Sequence, residues 1–468
     1  MPPPELTAIY SIYAALLSLN ILLGLMYIRY LRASLRWSGG RAQPRGPDPR
    51  PISFIIPVKG EPIDVIQSAL TRFLDLDYPR ESFEVLIVSD DEEGAFRRIK
   101  AVVEAFSKEF GISVRALRRV GGGRYKGSAL NWAAARAKYD VLVFIDVDTR
   151  LPRDAAWRAS QVDDNTILFL GWDGYISLYT RLGKILRFIY RYILLYGAYL
   201  GRALAGGAVL ALGSGIALSK RLLDRLGGFC DCVADDYDIS LRALAAGARI
   251  VYDEGQPVLV EIPAIYAAFR RQYARWVFDS AYVIRKHIVR LMKSRLPLRV
   301  KLGVVLDLLQ HPLLITTTII MPIVGLAAAY TGYLIPPLPI TALEVAVAAV
   351  ALAISWHVAV LARREGYGVL EALSSLALSG LVLLLMDVVA FAYMALGFVS
   401  DTITWRVTPK GESQRTYREA LWPELAYTAV VAGVFMWALA FRLWYLASSA
   451  AALLAVLGYG LRTISPSA

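Results

Sequence analysis

The stretch VLVFIDVD, residues 141–148, runs five apolar residues into two aspartates, Asp146 and Asp148. Because side chains alternate along a strand, both carboxylates should point to one side where the strand ends. Two carboxylates on one side make a hard oxygen site for Mn²⁺ or Mg²⁺, and such a metal can stabilise a diphosphate as a leaving group. A solvated acidic pair at a strand exit is the alternative, because D-x-D is a short motif.

Acidic residues also follow two earlier apolar runs. Glu61 lies just beyond the segment FIIPV, and the segment VLIVSDD ends in Asp90 and Asp91. Carboxylates at the ends of parallel strands can accept hydrogen bonds from a ribose or a base. Each could be an ordinary turn acid, but with the D-x-D motif they place acids at the ends of three predicted strands.

Two later segments carry groups for acid–base chemistry and for holding a diphosphate. Asp235 and Asp236 precede a predicted helix, where they either cap it or supply a general base for a sugar hydroxyl that attacks an anomeric carbon. In QYARW, Gln272, Arg275 and Trp276 fall on one helical face. Arginine offers a forked donor to a diphosphate and tryptophan a flat platform for a sugar ring. A helix at a membrane interface would use the same residue types.

Two basic segments are further candidates for phosphate binding. Lys126 follows a turn of three glycines, residues 121–123, and this flexible loop and its lysine could meet a phosphate. Thr408 and Lys410 lie in TWRVTPKG, residues 404–411, between apolar segments. That loop could close over a nucleotide or contact lipid headgroups.

The pattern of residues from 51 to about 260 predicts a soluble α/β domain that positions these groups. The segments PISFIIPV, FEVLIVSDD, GISVRAL and DVLVFIDVD are predicted strands, and KGSALNWAAARAK is a predicted helix. Strands that alternate with helices indicate a largely parallel sheet, whose ligands lie at the carboxyl ends of its strands.

The composition of the 468-residue chain predicts contact with lipid. Apolar residues make up 56% and charged residues 19%, and the mean hydropathy is +0.47. The net charge of +12 suits anionic headgroups or a phosphorylated substrate, and no basic soluble module for nucleic acid is present in the sequence. Cys230 and Cys232 are too close for an unstrained disulfide and too few for a zinc shell, so we predict reduced thiols.

Apolar segments flank the α/β domain. The first, from Leu6 to about Ile28, is long enough to cross a bilayer, and the arginines behind it place the next residues in the cytoplasm. A basic amphipathic pattern over 262–310 predicts helices in the headgroup zone. Later apolar segments span 312–333, 340–362, 369–397, 423–441 and 444–461.

These segments conflict with the positive-inside rule if the middle three all cross, because the basic stretch WRVTPKGESQRTYR would then lie outside. We therefore expect segment 369–397 to lie in the interface or to re-enter. The predicted parts are an N-terminal membrane helix, a catalytic domain, interface helices and a C-terminal membrane region with a gating-like loop, and a linker at 38–51 follows the first helix. The ranges of these parts are 1–30, 50–260, 261–310, 311–468 and, for the loop, 401–416.

Taken in order, SFIIPVKGEP, VSDDEEG, KGSALN, FIDVD, GSGIAL, ADDYD, QYARW and TWRVTPKG resemble the membrane-bound family-2 glycosyltransferases, a group that includes cellulose synthase and hyaluronan synthase. The resemblance covers about residues 50–415. It implies a cytoplasmic, Rossmann-like domain of the GT-A type, with interfacial helices and an α-helical transmembrane domain. It also implies a single inverting displacement of a nucleoside diphosphate that uses Mn²⁺ or Mg²⁺.

The resemblance implies a role for each marked residue. Asp236 would be the catalytic base, and Asp146 and Asp148 would be the metal ligands, with Asp148 the more direct of the two. The acceptor-binding residues would be Asp235, Gln272 and Trp276. The donor-binding residues would be Pro57, Glu61, Asp90, Lys126, Asp146, Asp148, Arg275, Thr408 and Lys410.

Two departures from the family pattern leave the acceptor open: the acidic pair is usually Glu-Asp, and the segment FLGWDGYISLYTRLGK is atypical. The predicted function is transfer of one sugar from GDP-mannose or a UDP-sugar to a polyprenyl or dolichyl phosphate-linked acceptor by a multi-pass protein of the cell membrane. The alternative is a processive synthase that polymerises and translocates a glycan. A third reading is a channel or a sensor of nucleotide-sugars, without enzymatic activity.

Overall fold

A computed structural model describes residues 3–38, 49–332, 336–404 and 408–464. Most of the predicted linker at 38–51, and residues 405–407 of TWRVTPKG, lie outside the described residues. The strands are β1 Ile52–Val58, β2 Phe83–Ser89, β3 Ser113–Arg118, β4 Val141–Phe144, β5 Thr166–Phe169, β6 Trp172–Tyr175, β7 Ile216–Ser219, β8 Arg249–Tyr252 and β9 Val258–Glu261.

The helices fall into a shorter set and a longer set. The shorter ones are α2 Ile63–Thr71, α3 Glu93–Phe110, α4 Lys126–Ala134, α5 Ala155–Ala159, α6 Arg181–Phe188, a π-helix Ile189–Tyr199, α7 Leu200–Leu204, α8 Lys220–Arg225 and α9 Asp235–Ala245. The longer ones are α1 Pro4–Arg36, α10 Tyr266–Lys293, α11 Leu298–Tyr330, α12 Leu338–Arg364, α13 Val369–Val399, α14 Trp422–Ala440 and α15 Trp444–Ile464.

Seven strands form one sheet in the order β3-β2-β1-β4-β7-β5-β8, and β7 alone runs antiparallel to its neighbours. β1 pairs with β2 and with β4 in parallel, with Ile52 opposite both Phe83 and Val141. These three strands are buried along almost their whole length, as expected for parallel strands that carry helices on both faces. The carboxyl ends of β1, β2 and β4 therefore meet at one edge of the sheet.

The strand that leads into the D-x-D motif ends earlier than predicted. β4 stops at Phe144, and a turn closed by the amide of Thr149 and the carbonyl of Asp146, 3.0 Å apart, carries both aspartates. Strand alternation therefore does not set the direction of the two carboxylates. A turn after the sheet edge brings them to the same cavity instead.

Helix α10 carries both buried and exposed basic side chains, and Lys286, Arg290 and Lys293 toward its end are exposed. Its Arg270 is buried and donates to Glu424, at 2.7 and 2.8 Å, and to Glu419, at 3.0 Å. Acids that follow the apolar segment 369–397 thus pair with Arg270, so the first turns of α10 pack inside the protein. The predicted position of its basic end in the headgroup zone stays a prediction. The predicted boundary at 310 also falls inside α11, a single helix that contains Pro312 and Pro322.

Five described helices, α1, α11, α12, α13 and α14, are long and apolar enough to cross a membrane. Helix α13 is held at both ends, by the α/β domain at its start and by α10 at its end. Before its first turn, Glu365 accepts hydrogen bonds from Arg191 and Tyr192 of the π-helix. After its last turn, the carbonyl of Ser400 accepts one from Arg285 of α10, at 2.7 Å.

The two cysteines form a disulfide, so the prediction of reduced thiols was wrong. Their Cα atoms are 5.3 Å apart, within the normal range for a disulfide, because the chain turns sharply at Asp231. The carboxylate of Asp231 accepts hydrogen bonds from the amides of Arg124 and Tyr125, at 2.8 and 2.7 Å. The turn between the cysteines therefore holds the glycine loop that enters α4.

Candidate active site

A cavity of about 270 Å³ opens at the carboxyl edge of the sheet, where β1, β2 and β4 end. Every residue that the sequence marks for donor, acceptor, metal or catalysis lines it. These residues are Pro57, Glu61, Asp90, Lys126, Asp146, Asp148, Asp235, Asp236, Gln272, Arg275, Trp276, Thr408 and Lys410.

The two aspartates of the D-x-D motif each pair with a lysine. Lys126, the first residue of α4, places its Nζ 3.2 Å from Oδ1 of Asp146. Lys410 donates to Oδ1 of Asp148, whose Oδ2 accepts from the amide of Glu261 at 3.0 Å. Asp146 raises the pKa of Lys126, and Asp148 raises that of Lys410, although burial alone would lower both. Both lysines therefore stay charged and neutralise the motif.

The carboxylates fit a divalent metal only together with a substrate. Carboxylate oxygen is the donor that Mg²⁺ and Mn²⁺ prefer, and Mg²⁺ sites commonly combine one or two carboxylates with phosphate oxygens. Within the described ranges, no three His, Cys, Asp or Glu side chains lie close enough to hold a metal. Two aspartates that leave coordination positions open suit a metal that also binds a diphosphate.

The acids at the ends of β1 and β2 are held by neighbouring groups. Asp90 accepts from Nε of Arg119 at 2.7 Å, and this arginine also donates to Ser128. Glu61 accepts from the amide of Lys59, and burial raises the pKa of the Glu61 carboxyl. Sequence reasoning missed Arg119, which follows Arg118, the last residue of β3. The two adjacent arginines at the end of this strand were the available signal.

The acidic pair at the start of α9 divides into a fixed and an open carboxylate. Asp236 accepts from the amide of Gly213 at 2.6 Å and from its own neighbour, the amide of Tyr237, at 2.7 Å. Asp235 is buried, and its Oδ2 has no hydrogen-bond partner among the described residues. Because buried polar atoms are normally bonded, this oxygen is available for a ligand.

Burial is the main cause that raises the pKa of Asp235 from 3.8 to about 7, and Asp236 adds to the shift. The folded protein thus keeps a proton that the unfolded chain releases, so stability falls as the pH rises from 3.8 to about 7. We expect Asp235→Asn to remove this loss. In thermal melts, the melting temperature of Asp235→Asn relative to that of the parent should rise by roughly a few degrees between about pH 5 and pH 8.

The control for this measurement is Asp224→Asn, which removes an exposed acid from α8. Its melting temperature should track that of the parent at each pH. A constant offset between Asp235→Asn and the parent across the range would contradict the assignment of a raised pKa.

Helix α10 carries the QYARW residues into the cavity. Gln272 accepts from the hydroxyl of Tyr190 at 2.9 Å, and the ring of Trp276 lies 6.3 Å from the ring of Tyr190 and 6.2 Å from that of Trp172. Trp172 belongs to β6, which pairs only with β9 in a small second sheet. The atypical segment after the D-x-D motif therefore supplies aromatic walls beside QYARW.

The loop that contains Thr408 and Lys410 lies over the cavity. Its Gln414 is fully buried, accepts from the amide of Ala264 at 2.6 Å and donates to Glu261 at 2.8 Å. Glu261 ends β9, and its own amide donates to Asp148. These bonds fix the loop so that Lys410 reaches the D-x-D motif.

Sequence reasoning missed the inner wall of the cavity. There the lining is mainly aromatic and aliphatic, with an ion pair between Arg202 of α7 and Asp307 of α11. Asp307 and His311 belong to an apolar helix, so their pattern signalled membrane and not a site. The inner wall is formed by Tyr190, Leu194, Ala198, Tyr199, Arg202, Val209, Leu210, Leu212, Tyr237, Asp307, Gln310 and His311.

Comparison with known sequences gives a family and individual relatives. A sequence model of glycosyl transferase family 21 matches residues 16–409. A probable glycosyltransferase of Sulfolobus acidocaldarius is 30% identical over 286 residues, 59% of this chain and 59% of that protein. The probable glycosyltransferase YdaM of Bacillus subtilis is 24% identical over 253 residues, 52% of this chain and 58% of that protein. The match thus spans less than two-thirds of these relatives.

Among solved structures, the mannosyltransferase PcManGT from Pyrobaculum calidifontis, in complex with GDP-Man and Mn²⁺, is similar over 84% of this chain and 99% of its own. The TM-score is 0.50 and the identity 20%. This similarity confirms the predicted Rossmann-like α/β fold of the GT-A type. The matched family is number 21, so the resemblance to family 2 is supported at the level of glycosyltransferases.

Proposed function

This chain belongs to glycosyl transferase family 21, and from that membership we propose an integral-membrane, metal-dependent, inverting enzyme that transfers a hexose from a nucleotide-sugar to a lipid-linked acceptor. One observation carries the proposal. A single cavity joins the D-x-D aspartates, the fixed carboxylate of Asp236 and the guanidinium of Arg275. These groups are what the departure of a diphosphate and the attack of a hydroxyl each require.

The donor would bind along the carboxyl edge of the sheet. Glu61 and Asp90, which follow β1 and β2, are placed for hydrogen bonds to a nucleoside, and Pro57 lines the same wall. Lys126, Arg275 and Lys410 supply positive charge for the diphosphate. GDP-mannose or a UDP-sugar is the proposed donor, and the bound GDP-Man of PcManGT supports the first of these.

Asp146 and Asp148 would hold the metal, Mn²⁺ or Mg²⁺, and the Mn²⁺ in the PcManGT complex supports this assignment. When bound, the metal supplies Lewis-acid stabilisation of the leaving diphosphate. Lys410 would then move from Asp148 to a phosphate oxygen. Thr408 and the rest of the loop would cover the donor and exclude water.

Asp236 would take the proton from the acceptor hydroxyl as that oxygen attacks the anomeric carbon. The amides of Gly213 and Tyr237 hold its carboxylate, so the base is oriented before the acceptor arrives. Attack from the side opposite the diphosphate inverts the configuration at that carbon. Gln272 and Trp276 would contact the acceptor beside the base.

The acceptor is proposed to be lipid-linked, with a polyprenyl or dolichyl phosphate as its carrier. The inner wall of the cavity is largely apolar and includes residues of α11, one of the helices able to cross a membrane. An apolar wall suits a lipid more than a hydrated glycan chain. The QYARW and TWRVTPKG motifs keep a processive synthase as the second candidate.

Thermal shift with the purified protein tests the donor. A nucleotide-sugar that binds the folded state raises the melting temperature, so one base and sugar should stand out from a panel of UDP- and GDP-sugars, and only with Mn²⁺ or Mg²⁺. Failure of every nucleotide-sugar to shift the melt would contradict the proposal. Labelled donor and a lipid extract then separate the candidates, because a single lipid-linked addition supports transfer and a long polymer formed without lipid supports a synthase.

The membrane arrangement follows from helix α13. Because its start bonds to the α/β domain and its end to α10, we propose that α13 lies along the membrane surface and that α1, α11, α12, α14 and α15 cross. This arrangement keeps the loop with Lys410 on the side of the catalytic domain. The arginines after α1 support a cytoplasmic position for that side.

Cysteine labelling in vesicles of known orientation tests the arrangement. Leu370→Cys and Val399→Cys alter residues that are 83% and 78% exposed at the two ends of α13. We expect a membrane-impermeant maleimide to label both from the same side. Tyr330→Cys, at the far end of α11 and 87% exposed, is the control and should react from the opposite side. Labelling of the two α13 positions from opposite sides would show that α13 crosses.

A further inference from the structure

One buried acid in the cavity has no part in the reaction proposed above. Asp279 lies one helical turn beyond Arg275 on α10 and is 5% exposed. Its Oδ2 lies 4.0 Å from Nε of Arg275, which is too long for a hydrogen bond. Its Oδ1 has no hydrogen-bond partner in the described part of the chain.

Asp279 and Asp235 are therefore two carboxyl groups of one cavity that each present an unbonded oxygen. Asp236, the proposed base, is different because two backbone amides already donate to its carboxylate. Buried polar atoms without partners are rare in native proteins, and a ligand is one of the explanations for them. Two carboxyl oxygens of this kind in a single cavity indicate two hydrogen-bonding positions beside the base.

The charges around Asp279 favour its neutral form. Burial is the main cause of the raised pKa of this carboxyl, Arg275 on the same helix opposes the shift, and Asp236 and Asp235 on α9 add to it. A protonated carboxyl can donate a hydrogen bond as well as accept one. It can therefore bind a hydroxyl or an amide whether that group donates or accepts the hydrogen bond.

We infer that Asp279 and Asp235 form an acceptor-recognition pair, which binds polar groups of the acceptor next to the hydroxyl that Asp236 deprotonates. The inference rests on the proposed function and deepens it, because it names the class of acceptor. The head group must carry neighbouring hydroxyl or amide groups, as the sugar of a lipid-linked glycan does. A bare polyprenyl phosphate carries no such hydroxyl or amide groups.

The alternative is that Asp279 only positions Arg275. If Asp279 only positions Arg275, its loss should raise the KM for the donor. If it recognises the acceptor, its loss should raise the KM for the acceptor, so the two Michaelis constants separate the cases. Asparagine keeps both hydrogen-bonding functions of a neutral carboxyl, and alanine keeps neither. The pair Asp279→Ala and Asp279→Asn therefore tests recognition itself.

The test uses the full chain with its best donor and two lipid probes, dodecyl glucoside and undecaprenyl phosphate. The parent should transfer sugar to dodecyl glucoside at least tenfold faster than to undecaprenyl phosphate. Asp279→Ala should raise the KM for dodecyl glucoside by about tenfold or more, with little change in the KM for the donor, because a lost hydrogen bond to a buried acid is worth about this factor. Asp279→Asn should restore most of the loss.

Lys286→Met, which removes a charge from the same helix outside the cavity, is the matched control. Preference of the parent for undecaprenyl phosphate, or no transfer to dodecyl glucoside, would overturn the inference. So would an Asp279→Ala effect on the donor KM alone, or a failure of Asp279→Asn to rescue. The donor-induced thermal shift shows whether each variant is folded. It also separates failure of the acceptor-recognition inference, in which the parent still shows the shift, from failure of the proposed function, in which the parent shows none.

Discussion

Replacement of Asp236 with asparagine is expected to lower turnover by about 10³-fold, while the affinity for the donor changes by less than about threefold. The carboxylate of Asp236 is oriented by two backbone amides, at 2.6 and 2.7 Å. Asparagine has nearly the same shape but cannot accept the proton of the attacking hydroxyl. In the proposed reaction Asp236 contacts the acceptor hydroxyl and not the donor, so the affinity for the donor should survive.

Steady-state transfer from a labelled donor gives the turnover, and calorimetric titration gives the donor affinity. Asp75→Asn, which alters an exposed acid after α2, serves as the control and should behave as the parent does. If Asp236→Asn kept more than about a tenth of the parent turnover, Asp236 would not be the base.

Replacement of Asp148 with alanine should have a different signature, in which transfer and metal-dependent donor binding are lost together. Asp148 is 6% exposed and is fixed by the amide of Glu261 on one oxygen and by Lys410 on the other. Its removal leaves Asp146 as the one remaining aspartate of the motif. Electrostatic stabilisation of a leaving group by a metal is worth several kcal/mol, so we expect a fall of roughly 10³-fold or more in kcat/KM.

The measurement is the donor-induced thermal shift across a series of Mn²⁺ concentrations, together with the transfer rate. The parent should show a shift that saturates with metal, and Asp148→Ala should show none over the same range. Asp64→Ala, on the exposed face of α2, is the matched control. Equal loss of donor affinity in Asp148→Ala and Asp236→Asn would contradict the separate roles given to these two acids.

Sequence patterns located the part of the site that lies at strand ends. Buried apolar runs identify parallel strands, and parallel strands deliver their last residues to one edge, so Glu61, Asp90 and the D-x-D motif could be placed together without coordinates. The ordered motifs added Asp236, QYARW and Lys410. The fold class followed from the same alternation of strands and helices.

The groups that could not be predicted depend on contacts between distant segments. Asp279 reads as one more polar residue of a basic helix until α9 packs against α10. Arg202 and Asp307 come from segments that look apolar, and only their pairing, 105 residues apart in sequence, gives them a polar environment. Likewise, the burial of Arg270 depends on Glu419 and Glu424, which lie beyond three further helices.

The position of helix α11 has a consequence for how a substrate with an apolar tail would reach the proposed catalytic groups. The same helix contributes Asp307 and His311 to the cavity wall and continues as an apolar rod toward Tyr330. A substrate with a long hydrocarbon tail could then present its head at the reacting centre while the tail stays among the acyl chains. Transfer of a twelve-carbon tail into water would cost about 10 kcal/mol at roughly 0.8 kcal/mol per methylene. Diffusion within the plane of one leaflet avoids that expense, so the supply of substrate would be set by its surface density.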